Sequence, residues 1–152
     1  MNYKLLIVLF FSSISVFGQD KISLITIENI SSHLWSNTTI YIGPETKVSR
    51  TQKNKILVEI EMNLKEDRNY KKIKYIDQND FEEISTKLLT LNAKDLFPEL
   101  GCLDGNHTTI NFNNTNNSVE YKVSCSKNNT NFHQVLKFIL DKINLKETDF
   151  YR

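Results

Sequence analysis

The sequence predicts an α+β domain in which an antiparallel sheet of about five to seven strands has one face covered by two helices. Apolar residues alternate with mostly polar ones from Ile56 to Leu64, as in a strand with one buried face. From Phe132 to Ile143 they recur instead at helical spacing, which indicates a helix with one buried stripe. The strand-like segments are joined by hairpin-type connections, and these favour an antiparallel sheet.

The N-terminal half of the chain is predicted to consist of strands. Ile22–Ile27 is rich in β-branched residues, and Thr38–Ile42 and Thr46–Thr51 are short runs separated by a Gly-Pro turn signal. Ile56–Leu64 is the clearest strand. Tyr70–Ile76 follows a charged connection and is predicted to be its antiparallel partner.

The pattern then changes from strand to helix. Apolar residues at helical spacing predict a helix over about 81–91. Asp80 is well placed as its N-cap, and Glu83 lies three residues further on, as in a capping box. A second hairpin is predicted to join Thr108–Phe112 to Val119–Cys125.

The last predicted element is the Phe132–Ile143 helix. Thr130 or Asn131 precedes it and has the side-chain oxygen that caps a helix N-terminus. The tail from Asn144 onward is polar, and we expect it to fray.

Residues 1–18 are predicted to be a cleaved signal peptide. Lys4 supplies a positive n-region, Leu5–Phe11 an unbroken apolar run, and Gly18 a small residue at the expected cleavage site. The apolar run is shorter than the roughly 18 to 20 residues that span a bilayer, so an uncleaved anchor is disfavoured. We therefore expect a secreted or periplasmic protein with no membrane attachment after cleavage.

The mature chain, 19–152, has the size of a single domain. Cleavage removes Lys4 and no acidic residue, so 18 basic side chains would balance 18 acidic ones. A neutral protein gives no electrostatic reason to expect a nucleic acid or an anionic membrane as partner.

Cys102 and Cys125 are the two cysteines. Disulfides persist in oxidising compartments, so we predict that this pair is bridged. The bridge would close a loop of about 24 residues and stabilise the fold by about 3 kcal/mol on the chain-entropy model. Free thiols, a metal site and a redox pair are the alternatives, but the spacing is neither that of a Cys-x-x-Cys turn nor that of a four-ligand zinc site.

Three residues are candidate binding residues. Asp104 and His107 flank a predicted Asp-Gly turn and could meet across it as a small binding or acid–base pair, although a turn pinned by Cys102 explains them as well. Trp35, the only tryptophan, lies in a polar stretch and could contact a sugar or a protein, or close the edge of the sheet.

No sequence pattern nominates a catalytic residue, a metal site or a cofactor. The motifs His-x-x-x-His and Gly-x-Ser-x-Gly and a glycine-rich phosphate loop are absent from the sequence. Glu59 and Glu61 lie about 7 Å apart on one strand face, a separation that glycosidases use, but a solvated face explains them. His133 is expected to be structural and to face solvent.

Six Asn-x-Ser/Thr sequons occur in the mature chain. The abundance of Asn, Lys and Ile is typical of an AT-rich genome, in which sequons arise by chance. We therefore give these sequons no functional weight.

Three features of the chain carry a resemblance to a group of proteins. They are the leader that ends in Phe17-Gly18-Gln19, the bias toward Asn, Lys and Ile, and the passage from Asp80-Phe81-Glu82-Glu83 through Leu103-Asp104-Gly105 to Phe132. The chain resembles small exported proteins of unassigned function from Bacteroidota-like bacteria, and this resemblance implies an envelope or extracellular location.

Two functions remain open. The first is a non-catalytic binding protein for a protein or glycan, which acts through a sheet face or loops. The second is a small exported hydrolase with a site near Asp104 and His107.

Overall fold

The computed structural model describes residues 21–31, 36–44, 54–64, 68–96, 107–114, 117–124 and 130–151. The strands in these ranges are β1 (Leu24–Ser31), β2 (Ser36–Gly43), β3 (Lys55–Leu64), β4 (Arg68–Asp77), β5 (His107–Asn113) and β6 (Ser118–Ser124). The helices are α1 (Gln78–Leu88), α2 (Asn131–Lys142), a short α3 (Glu147–Phe150) and a 3₁₀ helix (Ala93–Leu96).

The six strands form one antiparallel sheet in the order β4-β3-β2-β1-β5-β6. The predicted α+β class and its antiparallel sheet are therefore confirmed. The predicted hairpin is also present, because β3 pairs with β4 so that Ile56 lies opposite Ile76. The predicted strand Thr46–Thr51 lies outside the described residues.

One face of the sheet packs against the helices, and we call it the covered face. Its central row runs across four neighbouring strands as Ile110, Ile27, Ile40 and Ile60, and all four side chains are fully buried. These residues form a single core cluster with the buried stripes of α1 and α2. The alternation of apolar and polar residues therefore decides which face the helices cover.

Helix α1 begins earlier than predicted. β4 continues to Asp77, which is the N-cap residue but makes no side-chain capping bond. The predicted capping box of Asp80 and Glu83 is wrong, because both carboxylates lie inside the helix and accept from Lys142, at 2.8 and 2.7 Å. These carboxylates raise the pKa of Lys142 and connect α1 to α2.

Both ends of α2 are held by side chains. The predicted cap at Thr130 is confirmed, since its hydroxyl oxygen accepts from the backbone N–H of His133 at 3.2 Å. At the other end, Lys74 of β4 donates to the carbonyl oxygens of Ile143 and Asn144. Burial, followed by the neighbouring Lys72, lowers the pKa of Lys74. The sheet thus supplies the positive charge that the C-terminus of a helix favours.

The expectation that the tail frays is wrong. Phe150, the last residue of α3, is fully buried, and Leu145, just before α3, is nearly so. Asn29, which is also fully buried, donates from its side-chain amide to the carbonyl oxygen of Phe150 at 3.4 Å. Two apolar anchors and one sheet contact therefore hold the tail against the core.

Within the described residues, no helix has the length and apolar character that a membrane crossing requires.

Candidate functional site: the open face of the sheet

The face of the sheet opposite the described helices carries large side chains at its surface, and we call it the open face. Five apolar or aromatic residues on it are between 37% and 54% exposed: Leu24, Ile30, Tyr41, Ile73 and Tyr75. An amphipathic sheet usually presents polar residues to water on such a face. Apolar side chains that gather there mark a surface for binding.

Part of this set forms a connected group, the apolar patch, which consists of Leu24, Tyr41, Leu57, Ile73 and Tyr75. Tyr75 lies opposite Leu57, and Leu57 lies opposite Gly43. The side chain of Leu24 lies over Gly43, where a Cβ atom would come within 2.9 Å of its Cδ1 atom. In the next row, Glu59 separates Ile73 from Tyr41. The patch therefore extends over β1 to β4.

A lysine pairs with both carboxylates beside the patch and leaves the group of three with a net negative charge. The ammonium group of Lys71 lies 2.6 Å from Glu59 and 3.1 Å from Glu61. The hydrogen bonds to these carboxylates raise the pKa of Lys71. The pair Glu59 and Glu61 is thus occupied by a cation rather than arranged as a free acid and base.

Glu28 differs from these paired carboxylates. It is half-buried at the middle of β1, opposite Thr39 on β2 and Thr109 on β5. It forms no hydrogen bond or ion pair with any residue that the structure describes. The predicted first strand ended at Ile27, so the sequence reasoning missed Glu28. Glu28 follows Leu24 and Thr26 at period two, and this strand pattern is the sequence signal that could have identified it.

His107 is the one predicted site residue that the structure describes. It begins β5 on the open face, and its Nδ1 atom lies 2.7 Å from the hydroxyl oxygen of Ser124, directly across on β6. Ser124 was not a predicted site residue, because the contact depends on the register of the hairpin. Trp35, Asp104, Cys102, Cys125 and the leader 1–18 lie outside the described residues.

A second polar cluster lies on the covered face, at the end where the tail packs. Thr108 donates to the side-chain oxygen of Asn29 at 3.2 Å. Next to Asn29 in the register is Thr38, whose buried hydroxyl has no hydrogen-bond partner among the described residues. Burial, followed by Glu147, raises the pKa of Tyr151 to about 12, while a hydrogen bond with Thr108 opposes that shift.

The same cluster contains His133, which the sequence placed at the surface. That expectation is wrong, since His133 is 7% exposed and its Nε2 atom lies 3.1 Å from a carboxylate oxygen of Glu147. Helix α3 folds back over α2 and covers the ring. Because the tail encloses these groups, the cluster supports packing, whereas none of the described helices covers the open face.

The sequon at Asn29 is incompatible with glycosylation in this fold. Its side chain is fully buried and both of its polar atoms are hydrogen-bonded within the protein. A glycan attached to that nitrogen would have to displace the tail. This supports the interpretation of this sequon as a product of composition.

In the ranges that the structure describes, no group of three or more His, Cys, Asp or Glu side chains could hold a metal ion. The sequence matches no protein-family model, and no curated protein is significantly similar to it.

Proposed function

We propose that this protein is an exported, non-catalytic binding protein that engages a protein partner through the open face. The observation that carries the proposal is the apolar patch, which places aromatic and aliphatic side chains on a sheet face that none of the described helices covers. Protein interfaces concentrate such residues at their centre and surround them with polar groups.

The composition of the patch favours a protein over a glycan. Sugars stack on flat aromatic rings, whereas Leu24 and Ile73 offer branched aliphatic groups that pack best against other apolar side chains. Tyrosine also recurs among the residues that dominate binding energy at protein interfaces. A glycan partner remains one outcome of the experiment below.

Export is part of the proposal and rests on the leader sequence. The lysine in the first residues and the apolar run that follows have the order of a signal peptide. Signal-peptide cleavage would release a protein of about 134 residues, a size typical of one domain. The proposed bridge between Cys102 and Cys125 belongs to the same oxidising location.

A paired capture experiment tests the binding proposal. The mature protein, a Tyr41→Ser/Ile73→Ser variant and a Leu89→Ser control are immobilised and exposed to extract of the source culture. Leu89, the C-cap residue of α1, is 66% exposed and lies away from the open face, so the control removes apolar surface elsewhere. All three proteins are first shown to unfold at similar temperatures.

We expect one protein to be retained by the wild type and by the Leu89→Ser control, but not by the double variant. Retention that is equal on all three, or loss on the control, would count against the open face. A retained species that is a glycan would overturn the choice of a protein partner.

The contact between His107 and Ser124 supports a second candidate function, a small exported hydrolase. An imidazole within hydrogen-bond distance of a serine hydroxyl is the pairing that activates a nucleophile. In this candidate Ser124 is the nucleophile and His107 the general base. A fluorophosphonate probe should then label the wild type but not Ser124→Ala, and absence of labelling on the wild type would reject it.

A further inference from the structure

We propose that the partner presents a basic side chain, preferably arginine, that pairs with Glu28 beside the apolar patch. This inference rests on the proposed function and adds the chemistry of the partner. It begins from the charge of the open face. The register places five acidic and three basic described residues there: Glu28, Glu59, Glu61, Asp77 and Glu120 against Lys55, Lys71 and Lys122.

The acidic groups differ in whether they already have a cation. Asp77 pairs with Lys55, and Glu59 and Glu61 share Lys71. Glu28 and Glu120 pair with none of the described residues, but Glu120 is exposed on the edge strand, whereas Glu28 is half-buried on a strand inside the sheet. Lys122 lies in the same cross-strand row but two strands away, about 10 Å between the strand backbones, and it forms no ion pair with Glu28.

The surroundings of Glu28 leave access to its carboxylate. The residues directly opposite it, Thr39 and Thr109, have short side chains. Beyond them stand larger, exposed neighbours, Tyr41 on the adjacent strand and Ile30 on the same strand. On the open face, Glu28 is therefore flanked by an aromatic residue on one side and an aliphatic residue on the other.

Arginine fits this arrangement better than any other side chain. Its planar guanidinium forms paired hydrogen bonds with a carboxylate and also stacks on an aromatic ring such as that of Tyr41. Tyr41 and Ile30 partly exclude water from this charge pair and so strengthen it relative to a pair in open water. The remaining contacts of the partner are then apolar and cover the apolar patch.

The test uses a phage-displayed peptide library selected on the immobilised mature protein. We expect the enriched peptides to carry an arginine or lysine next to an aliphatic or aromatic residue. Their affinity should fall by about tenfold on Glu28→Gln and should weaken as salt is raised. Glu120→Gln removes a negative charge from the edge strand of the same face and should change affinity by less than about twofold.

The outcomes separate this inference from the proposed function. Peptides that lose affinity on Tyr41→Ala but bind Glu28→Gln unchanged would overturn the basic partner and leave the open face as the binding surface. Selected peptides that bind Tyr41→Ala and Glu28→Gln as well as the wild type would count against both. Enrichment of peptides that lack basic residues would overturn the inference directly.

Discussion

The ammonium group of Lys74 lies 3.0 Å from the carbonyl oxygen of Ile143, at the point where α2 ends above β4. The residue belongs to the covered face, yet the strand pattern alone gives a lysine no role there. At this edge of the sheet, the side chain of Lys74 does not pack in the core, and its ammonium group caps the C-terminus of α2 instead. Sheet and helix are thereby joined by a polar contact at one end and by apolar packing in the middle.

Replacing this lysine tests the contact. Lys74→Met keeps a long side chain but leaves two carbonyl oxygens without their donor, so the free energy of unfolding should fall by about 1–2 kcal/mol in urea titration. Lys122→Met is the control at an exposed lysine of the edge strand β6 and should change it by less than about 0.5 kcal/mol. Equal effects of the two substitutions would show that the helix end does not depend on Lys74.

The burial of Phe150 predicts that the tail is part of the core. Phe150→Ala should lower the free energy of unfolding by about 3–5 kcal/mol, because removing a fully buried ring leaves a cavity in the core. Thr148→Ala alters an exposed position of the same short helix and should stay within about 0.5 kcal/mol. If Phe150→Ala is as mild as the control, the tail is not packed as described.

The raised pKa of Tyr151 predicts a pH dependence of stability. In the folded protein this pKa is about 12, above the value of about 10 for an unperturbed tyrosine, so the folded state favours the neutral phenol. The resulting stabilisation is complete below about pH 10 and is lost as the pH rises from there through 12.

Urea unfolding at several alkaline pH values measures this effect. Tyr151→Phe has no phenol to ionise, so its stability should decline less steeply over that interval than that of the wild type. Tyr75→Phe, at an exposed position of the open face, is the control and should follow the wild type. A Tyr151→Phe protein with an unchanged pH profile would contradict the assignment.

Export and the disulfide are tested together by intact-mass measurement of the secreted protein. We expect a chain that begins at Gln19 and gains two thiol-labelling groups only after reduction. Labelling without reductant would exclude the bridge between Cys102 and Cys125. A mass that retains residues 1–18 would exclude signal cleavage.

The sequence predicts those elements whose pattern repeats within a single segment. The period-two run of Ile56–Leu64 predicts β3, and the helical stripe of Phe132–Ile143 predicts α2, because local burial determines both. Asn29 and Thr38 break the expected alternation of apolar residues on the covered face. Asn29 is tolerated because the tail and Thr108 bind its side chain, and Thr38 lies next to it in the register.

The candidate site was less predictable because it depends on contacts between segments. Glu28 acquires its threonine neighbours only through the register of β1 with β2 and β5, and Ser124 meets His107 only through that of β5 with β6. Leu145 and Phe150 are isolated apolar residues in a polar tail, so no repeating pattern predicts their burial. From the sequence alone, Asp80 and His133 resemble surface residues, because their partners lie on other helices.

Site-specific photo-crosslinking tests the proposed role of the open face most directly. A photoreactive phenylalanine analogue replaces Tyr41 in one protein and Leu89 in another, and both are irradiated in extract of the source culture. The account predicts a covalent adduct of one defined protein mass at position 41 and none at position 89. Absence of an adduct at position 41, or the same adduct at both positions, would contradict it.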